Sequence, residues 1–193
     1  TRANVIGRRI VKIKTCWLLT AIATVLHAAD GIPADKMREI YETVKTPYKY
    51  GVIMEPEEGK MLDNPNVFRY GDAWYMTYIV FDNKGYETML AKSADLLHWQ
   101  PLGPILLRGA KGAWDCEQAD GGPSLFDVRW DGSNTLGMHD GKYWMTYIGG
   151  AKTGYETDPL AIGVATTDDP SVAKLWTRAS DKPVLAPDDP DRR

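Results

Sequence analysis

Cysteine is almost missing from this chain of 193 residues: there are two, Cys16 and Cys116, in very different settings, so a structural disulfide is not expected. Basic excess is missing too. With 23 Lys and Arg against 26 Asp and Glu, the formal charge is −3, the wrong sign for neutralising a phosphate backbone, and nucleic acid is excluded as a natural partner. The apolar run Cys16–Leu26 falls well short of the roughly 20 residues that span a bilayer, so no stable membrane span is expected. His27, His98 and His139 are dispersed and give no zinc spacing. There is no phosphate-cradling Gly loop, no Gly-x-Ser-x-Gly elbow and no Cys-x-x-Cys pair. Phenylalanine is scarce, with 3 residues against 7 Trp and 10 Tyr.

What is present points elsewhere. Hydrophobic residues make up 44% of the chain, too many for a disordered acidic polymer. Aromatics with a polar edge, together with 18 Gly and 12 Pro, suit a β-rich, sugar-contacting protein better than a helical bundle. At the N-terminus, Arg8, Arg9, Lys12 and Lys14 precede the run Cys16–Leu26 and then His27-Ala28-Ala29-Asp30. A basic start, a short apolar stretch and small residues before a charge form the pattern of an export signal over residues 1–29, with a secreted or periplasmic destination. The alternative is an ordinary buried N-terminal helix. In the next segment, Met37, Ile40, Tyr41 and Val44 fall at helical spacing behind Pro33, which predicts one amphipathic helix within residues 30–46, ended by Thr46-Pro47.

From Tyr48 onward the period changes and a repeat appears. Trp74-Tyr75-Met76-Thr77-Tyr78-Ile79 returns as Tyr143-Trp144-Met145-Thr146-Tyr147-Ile148, and Gly85-Tyr86-Glu87-Thr88 returns at the same offset as Gly154-Tyr155-Glu156-Thr157. Leu90–Asp95 corresponds to Val164–Asp169, Trp99 to Trp176, and Pro65-Asn66-Val67-Phe68 to Pro123-Ser124-Leu125-Phe126, the last with an offset implying a longer hairpin in the second copy. The first copy reads as four β-type runs, Asn66–Tyr70, Trp74–Phe81, Thr88–Ser93 and Gln100–Leu107, separated by turn residues. Four antiparallel strands recurring every 60 to 80 residues or so are the signature of propeller blades. The expected fold is therefore all-β, a partial five-bladed β-propeller: blade 1 over 47–110, blade 2 over 111–187, and the start of a third at 188–193.

Leu62-Asp63-Asn64-Pro65-Asn66-Val67-Phe68, Trp74-Tyr75-Met76-Thr77-Tyr78 and Ala91-Lys92-Ser93-Ala94-Asp95-Leu96-Leu97-His98-Trp99 together resemble the five-bladed β-propeller glycoside hydrolases. These include the arabinanase/xylosidase family 43, the invertase/levanase family 32 and the mannoside phosphorylase family 130. The resemblance covers Lys49 to Pro187. It implies a glycosidase with a carbohydrate substrate and no organic cofactor; some members hold a calcium ion in the central channel, for which no ligands can be assigned here.

In such a propeller, the start of the first strand and the turn into the third open on one face, which would gather Asp63, Glu87, Asp115, Glu117, Asp120 and Glu156 around a funnel. Glycoside cleavage uses two carboxylic groups across a sugar. The resemblance places Asp63 as general base or nucleophile. The second copy should supply a carboxylate that orients substrate, but Gly121-Gly122-Pro123 stands where Asp63-Asn64-Pro65 stands in the first, leaving Asp120 as the nearest substitute and Asp115 as the next. Their bland readings are a turn-initiating Asp for Asp63 and solvated loop charges for the other two. Asn64, Glu87 and Glu156 are candidates for sugar hydroxyls, and Tyr86, Trp114 and Tyr155 for stacking on sugar rings. The proton-donating Glu of these families comes from a third blade. The reading is a secreted hydrolase of plant or microbial glycans, here as an N-terminal portion. The alternatives are a non-catalytic carbohydrate-binding propeller and a glycoside phosphorylase, for which Lys152 and Arg129 are the only hints.

Overall fold

A computed structural model describes residues 32–45, 50–127, 129 and 131–187. The export-signal segment, Cys16 and the segment 188–193 lie outside the described residues. The chain forms two units, Thr1–Lys49 and Tyr50–Arg193.

In the first unit the predicted helix is present as α1 (Ala34–Val44). It begins where Met37 N–H donates to the Pro33 carbonyl at 2.9 Å, with Asp35 in the first turn, where a negative charge meets the positive end of the helix dipole. Lys36 and Glu39 pair at 2.7 Å one turn apart.

The second unit is all strand and turn. Its first half is an antiparallel meander of β1 (Met61–Tyr70), β2 (Ala73–Phe81), β3 (Tyr86–Ser93) and β4 (Trp99–Leu106). Its second half repeats the meander with β5 (Gln118–Pro123), β6 (Tyr143–Gly150), β7 (Leu160–Thr167) and β8 (Thr177–Arg178). The longer hairpin foreseen for the second copy is the β5–β6 connection, which carries small bridges at Phe126↔Leu136 and His139↔Lys142.

Turn chemistry sets the strand ends. Gly71 takes a φ of 57° between β1 and β2, which an L side chain resists. After β3, the Ser93 hydroxyl accepts from Asp95 and Leu96 N–H, and Asp95 Oδ1 accepts from Leu97 and His98 N–H. The imidazole of His98 lies 2.7 Å from Asp95 Oδ2, so His98 closes a turn.

Strand β2 is buried on both faces. Tyr75 packs with Phe68, Leu90, Ile105 and Leu106 against Ala119, Met145, Tyr147, Ala165 and Trp176 of the second meander. On its other face Met76 and Tyr78 pack with Ala91, Met54, Leu62 and Met89. Each large side chain so buried contributes on the order of 1.5–3 kcal/mol of transfer free energy, making the layer between the meanders the principal core. The meanders also join through backbone: Tyr86 pairs in parallel with Gln118, and Tyr86 N–H donates to the Glu117 carbonyl at 3.2 Å. Gly85 permits this approach, because a Cβ there would fall onto the Glu117 carbonyl. Buried Thr88 seals the seam, donating to the Ala119 carbonyl at 2.7 Å and accepting from Gly121 N–H at 2.9 Å.

Candidate active site

Where the two meanders meet, β1 carries a bulge. Asp63 lies opposite Ile79 and Asn66 opposite Thr77, so an extra residue is accommodated between them. Pro65 has no N–H for the ladder, and Asn64 adopts the left-handed conformation with φ 49°, which Asn tolerates better than most residues. The bulge re-aims the chain. Asn64 N–H donates to Asp63 Oδ1 at 2.7 Å, while the Asn64 side-chain amide donates to Asp120 Oδ1 at 2.7 Å.

Asp120 lies opposite Ile148 in β5, as Asp63 lies opposite Ile79 in β1. Since Ile148 repeats Ile79, the two aspartates are register equivalents. The misfit of Gly121-Gly122-Pro123 with Asp63-Asn64-Pro65 thus comes from matching two prolines that are not in register: Pro123 lies opposite Met145 as Val67 lies opposite Met76, while Pro65 sits in the bulge. The two glycines have steric roles: a Cβ on Gly121 would strike the Met145 side chain, and one on Gly122 would press on the Asn66 amide at about 3.0 Å.

The third contribution comes from the β6–β7 connection. Its base is tied down by Gly154 N–H to the Lys84 carbonyl at 2.7 Å and by the Gln118 amide to the Lys152 carbonyl at 3.0 Å. Tyr155 stands edge-on to Phe81 and Tyr86, with ring centroids 5.6 and 5.4 Å away, and its hydroxyl donates to Asp63 Oδ2 at 2.6 Å. Glu156, with φ 48°, donates its N–H to the Tyr86 hydroxyl at 3.1 Å. The Gly-Tyr-Glu-Thr repeat is therefore not a structural one. In the first copy Tyr86, Glu87 and Thr88 open strand β3; in the second the same residues lie in a loop before β7.

The carboxylates sit in different environments. The Tyr155 hydroxyl, and then the Asn64 backbone N–H, hold the exposed Asp63 below the usual carboxylate range. Burial pushes Asp120 up, and the charges of Asp63 and Glu156 add to this against the Asn64 hydrogen bond. The phenol of Tyr155 is raised because Asp63 holds its proton, and burial raises that of Tyr86. Asp120 lines a cleft of about 330 Å³ together with Asn64, Asn66, Thr146, Tyr147, Ile148 and Ile162, a mixture of polar and apolar side chains.

Of the nine residues given a catalytic or substrate-binding role from the sequence, Asp63, Asn64, Tyr86, Asp120, Tyr155 and Glu156 come together. The other three do not. Asp115 is buried and accepts from the Tyr147 hydroxyl at 3.0 Å and Arg178 Nε at 2.7 Å, a structural ion pair in the core. Trp114 stacks on Tyr147 with centroids 5.4 Å apart and fills the space a side chain at Gly149 would need, so it is packing rather than a sugar platform. Glu87, next to Tyr86 on a strand, projects to the opposite face and pairs with Arg108 at 3.3 Å, which also holds Asp82 at 2.8 Å. Arg129 is engaged by Asp127 at 2.9 Å. Asn66, Thr146, Ile148 and Ile162 were missed. Asn66, Thr146 and Ile148 lie inside the repeated strand segments and Ile162 reads as an ordinary strand residue, so none carried a site signal of its own. Among the described residues, no three His, Cys, Asp or Glu side chains are grouped to hold a metal ion, and no helix is long and apolar enough to cross a membrane.

No protein-family model matches the chain. A fructan 1-exohydrolase of Triticum urartu is 28% identical over 162 residues, spanning 81% of this chain and 24% of that protein. A fructan 1-exohydrolase w1 of Triticum aestivum matches to the same extent. The chain thus spans about a quarter of the length of these curated relatives. Among solved structures, one described as a BT0996 RGII complex superposes with a TM-score of 0.76 at 46% identity, covering 82% of this chain and 47% of that one. Another, described as a glycoside hydrolase, gives a TM-score of 0.76 at 44% identity, over 84% and 48% of the two chains. The relatives and structural neighbours of this chain are glycoside hydrolases, the group its sequence motifs resemble.

Proposed function

We propose that this chain carries part of the active site of an exported glycoside hydrolase, and that its two meanders are adjacent blades of a β-propeller. The observation that carries the reading is the convergence of Asp63, Asp120 and Glu156, from two meanders and a loop, with Asp120 and Asn64 lining a cleft of about 330 Å³. Glycosidic bonds are cleaved by paired carboxyl groups whose environments drive their proton affinities apart. The donors on Asp63 favour its charged form, suiting it to act as base on water or as nucleophile at the anomeric carbon. The raised proton affinity of Asp120 suits it to share a proton with a sugar hydroxyl and orient the ring. Asn64 fixes the two aspartates relative to each other, and Ile148 and Ile162 offer an apolar wall to the C–H face of a sugar.

Release of reducing sugar from arabinan, xylan and fructan, compared between a full-length protein carrying this chain and its Asp63→Asn form, tests the reading. Activity lost by about 100-fold or more on this substitution is expected for a residue in general-base or nucleophilic catalysis. Full activity in Asp63→Asn removes Asp63 from the chemistry.

A further inference from the structure

The Tyr155 ring, which the sequence suggested as a sugar platform, is braced by other aromatics, and its hydroxyl is committed to a carboxylate. We propose that Tyr155 is a positioning residue for Asp63, holding that carboxylate in one orientation and in its charged form by a hydrogen bond delivered from the other meander. This rests on the reading of Asp63 as a working carboxylate and adds a residue to it.

Three observations carry it. The contact is short, 2.6 Å from the hydroxyl to Oδ2, and joins residues 92 apart in the chain, so folding of both meanders creates it. It is complementary to the local contact: Asn64 N–H takes Oδ1 at 2.7 Å, so both oxygens are held while each keeps a lone pair for substrate or water. The hydroxyl is also placed in advance of any ligand. Phe81 and Tyr86 flank the ring, Tyr86 anchors the next residue through Glu156 N–H, and the loop base is pinned at Gly154. A group fixed in this way costs little reorganisation when the reaction occurs.

The sign of the effect follows from the surroundings. Asp120 faces Asp63 across the Asn64 amide, and Glu156 and Tyr86 are the other titratable groups beside Tyr155. Burial opposes ionisation of Asp63, whereas the Tyr155 hydroxyl and the Asn64 N–H favour it. Without the hydroxyl the Asn64 N–H alone is left to favour the charged form.

The test is a pH titration of the Asp63 side-chain carboxyl by carbon NMR, in the full chain and in Tyr155→Phe. Phenylalanine keeps the ring contacts, so Tm should change little. The Asp63 midpoint should rise by about half a pH unit or more; equal midpoints in the two forms overturn the proposal. On a cleaved glycan, Tyr155→Phe should lower kcat with KM nearly unchanged and move the acidic limb of the pH profile upward. An unmoved limb in Tyr155→Phe, with activity lost in Asp63→Asn, overturns the positioning role and leaves the proposed function standing. Activity retained in Asp63→Asn overturns the proposed function, and the titration still decides the hydrogen bond.

Discussion

Asp63 and Asp120 hold matching register positions, opposite Ile79 and Ile148, yet their protons are held in opposite ways. Asp63 is surrounded by donors, whereas Asp120 is partly buried next to two other carboxylates. An acid whose folded-state pKa is raised is disfavoured as an anion in the native state. It costs stability as pH rises from the ordinary aspartate value through the raised one, and costs nothing below the ordinary value. Asp120→Asn, which can still accept from the Asn64 amide, should therefore raise Tm at neutral pH and leave it unchanged well below the carboxylate range, while activity falls. Thermal melts of both proteins across pH check this. An equal gap at every pH, or a lower Tm at neutral pH, counts against the environment described for Asp120.

At the scale of elements, the β1 bulge and the β6–β7 connection build the site. Asn64 serves both as a left-handed residue and as the amide that reaches Asp120. Asn64→Gly keeps the backbone conformation and loses the amide; Asn64→Ala loses both, at a further cost of about 1 kcal/mol for a Cβ at positive φ. Denaturant unfolding should thus rank Asn64→Ala below Asn64→Gly, and equal stabilities would show that the bulge is not held in this conformation. These same elements explain what the sequence revealed. The amphipathic spacing of Met37, Ile40, Tyr41 and Val44 located α1, and the turn residues Gly71-Asp72 and Asp95 through His98 located β2 and β3 to within one or two residues. The bulge was hidden, because an inserted residue leaves no periodic mark. Matching Pro65 to Pro123, whose register equivalent is Val67, set Gly121 against Asp63 and left Asp120 as a substitute when it is the equivalent. The matching Gly-Tyr-Glu-Thr segments misled in the other direction: identical residues share an offset from β2 and β6, but a longer connection precedes β7. Glu87 and Asp115 could not be told from site carboxylates because their partners, Arg108 and Arg178, lie far away in the sequence.

Over the whole second unit, the meanders are held by an apolar layer and one buried ionic group. Arg178 donates to Asp115 at 2.7 Å and to the Leu107 carbonyl at 2.7 Å, and its guanidinium lies over the Tyr147 ring 5.6 Å from the centroid. Leu107 follows β4 and Arg178 ends β8, so this cluster ties the last strands of both meanders. Removing one member of a buried pair strands the other charge, at a cost of about 3–5 kcal/mol. Asp115→Ala should therefore lower unfolding free energy by about that amount, read from urea unfolding. A stable Asp115→Ala protein with lost turnover would instead return Asp115 to the catalytic set.

The central claim is that carboxylates from two meanders form part of one glycan-cleaving site, and the most direct measurement compares hydrolysis of arabinan, xylan and fructan by a full-length protein carrying these meanders with that by its Asp63→Asn and Asp120→Asn forms at matched folded concentration. Reducing sugar released by the unaltered protein, and lost in both variants, with Tm raised in Asp120→Asn and no more than slightly lowered in Asp63→Asn, is the predicted result. Undiminished release by both variants would contradict it.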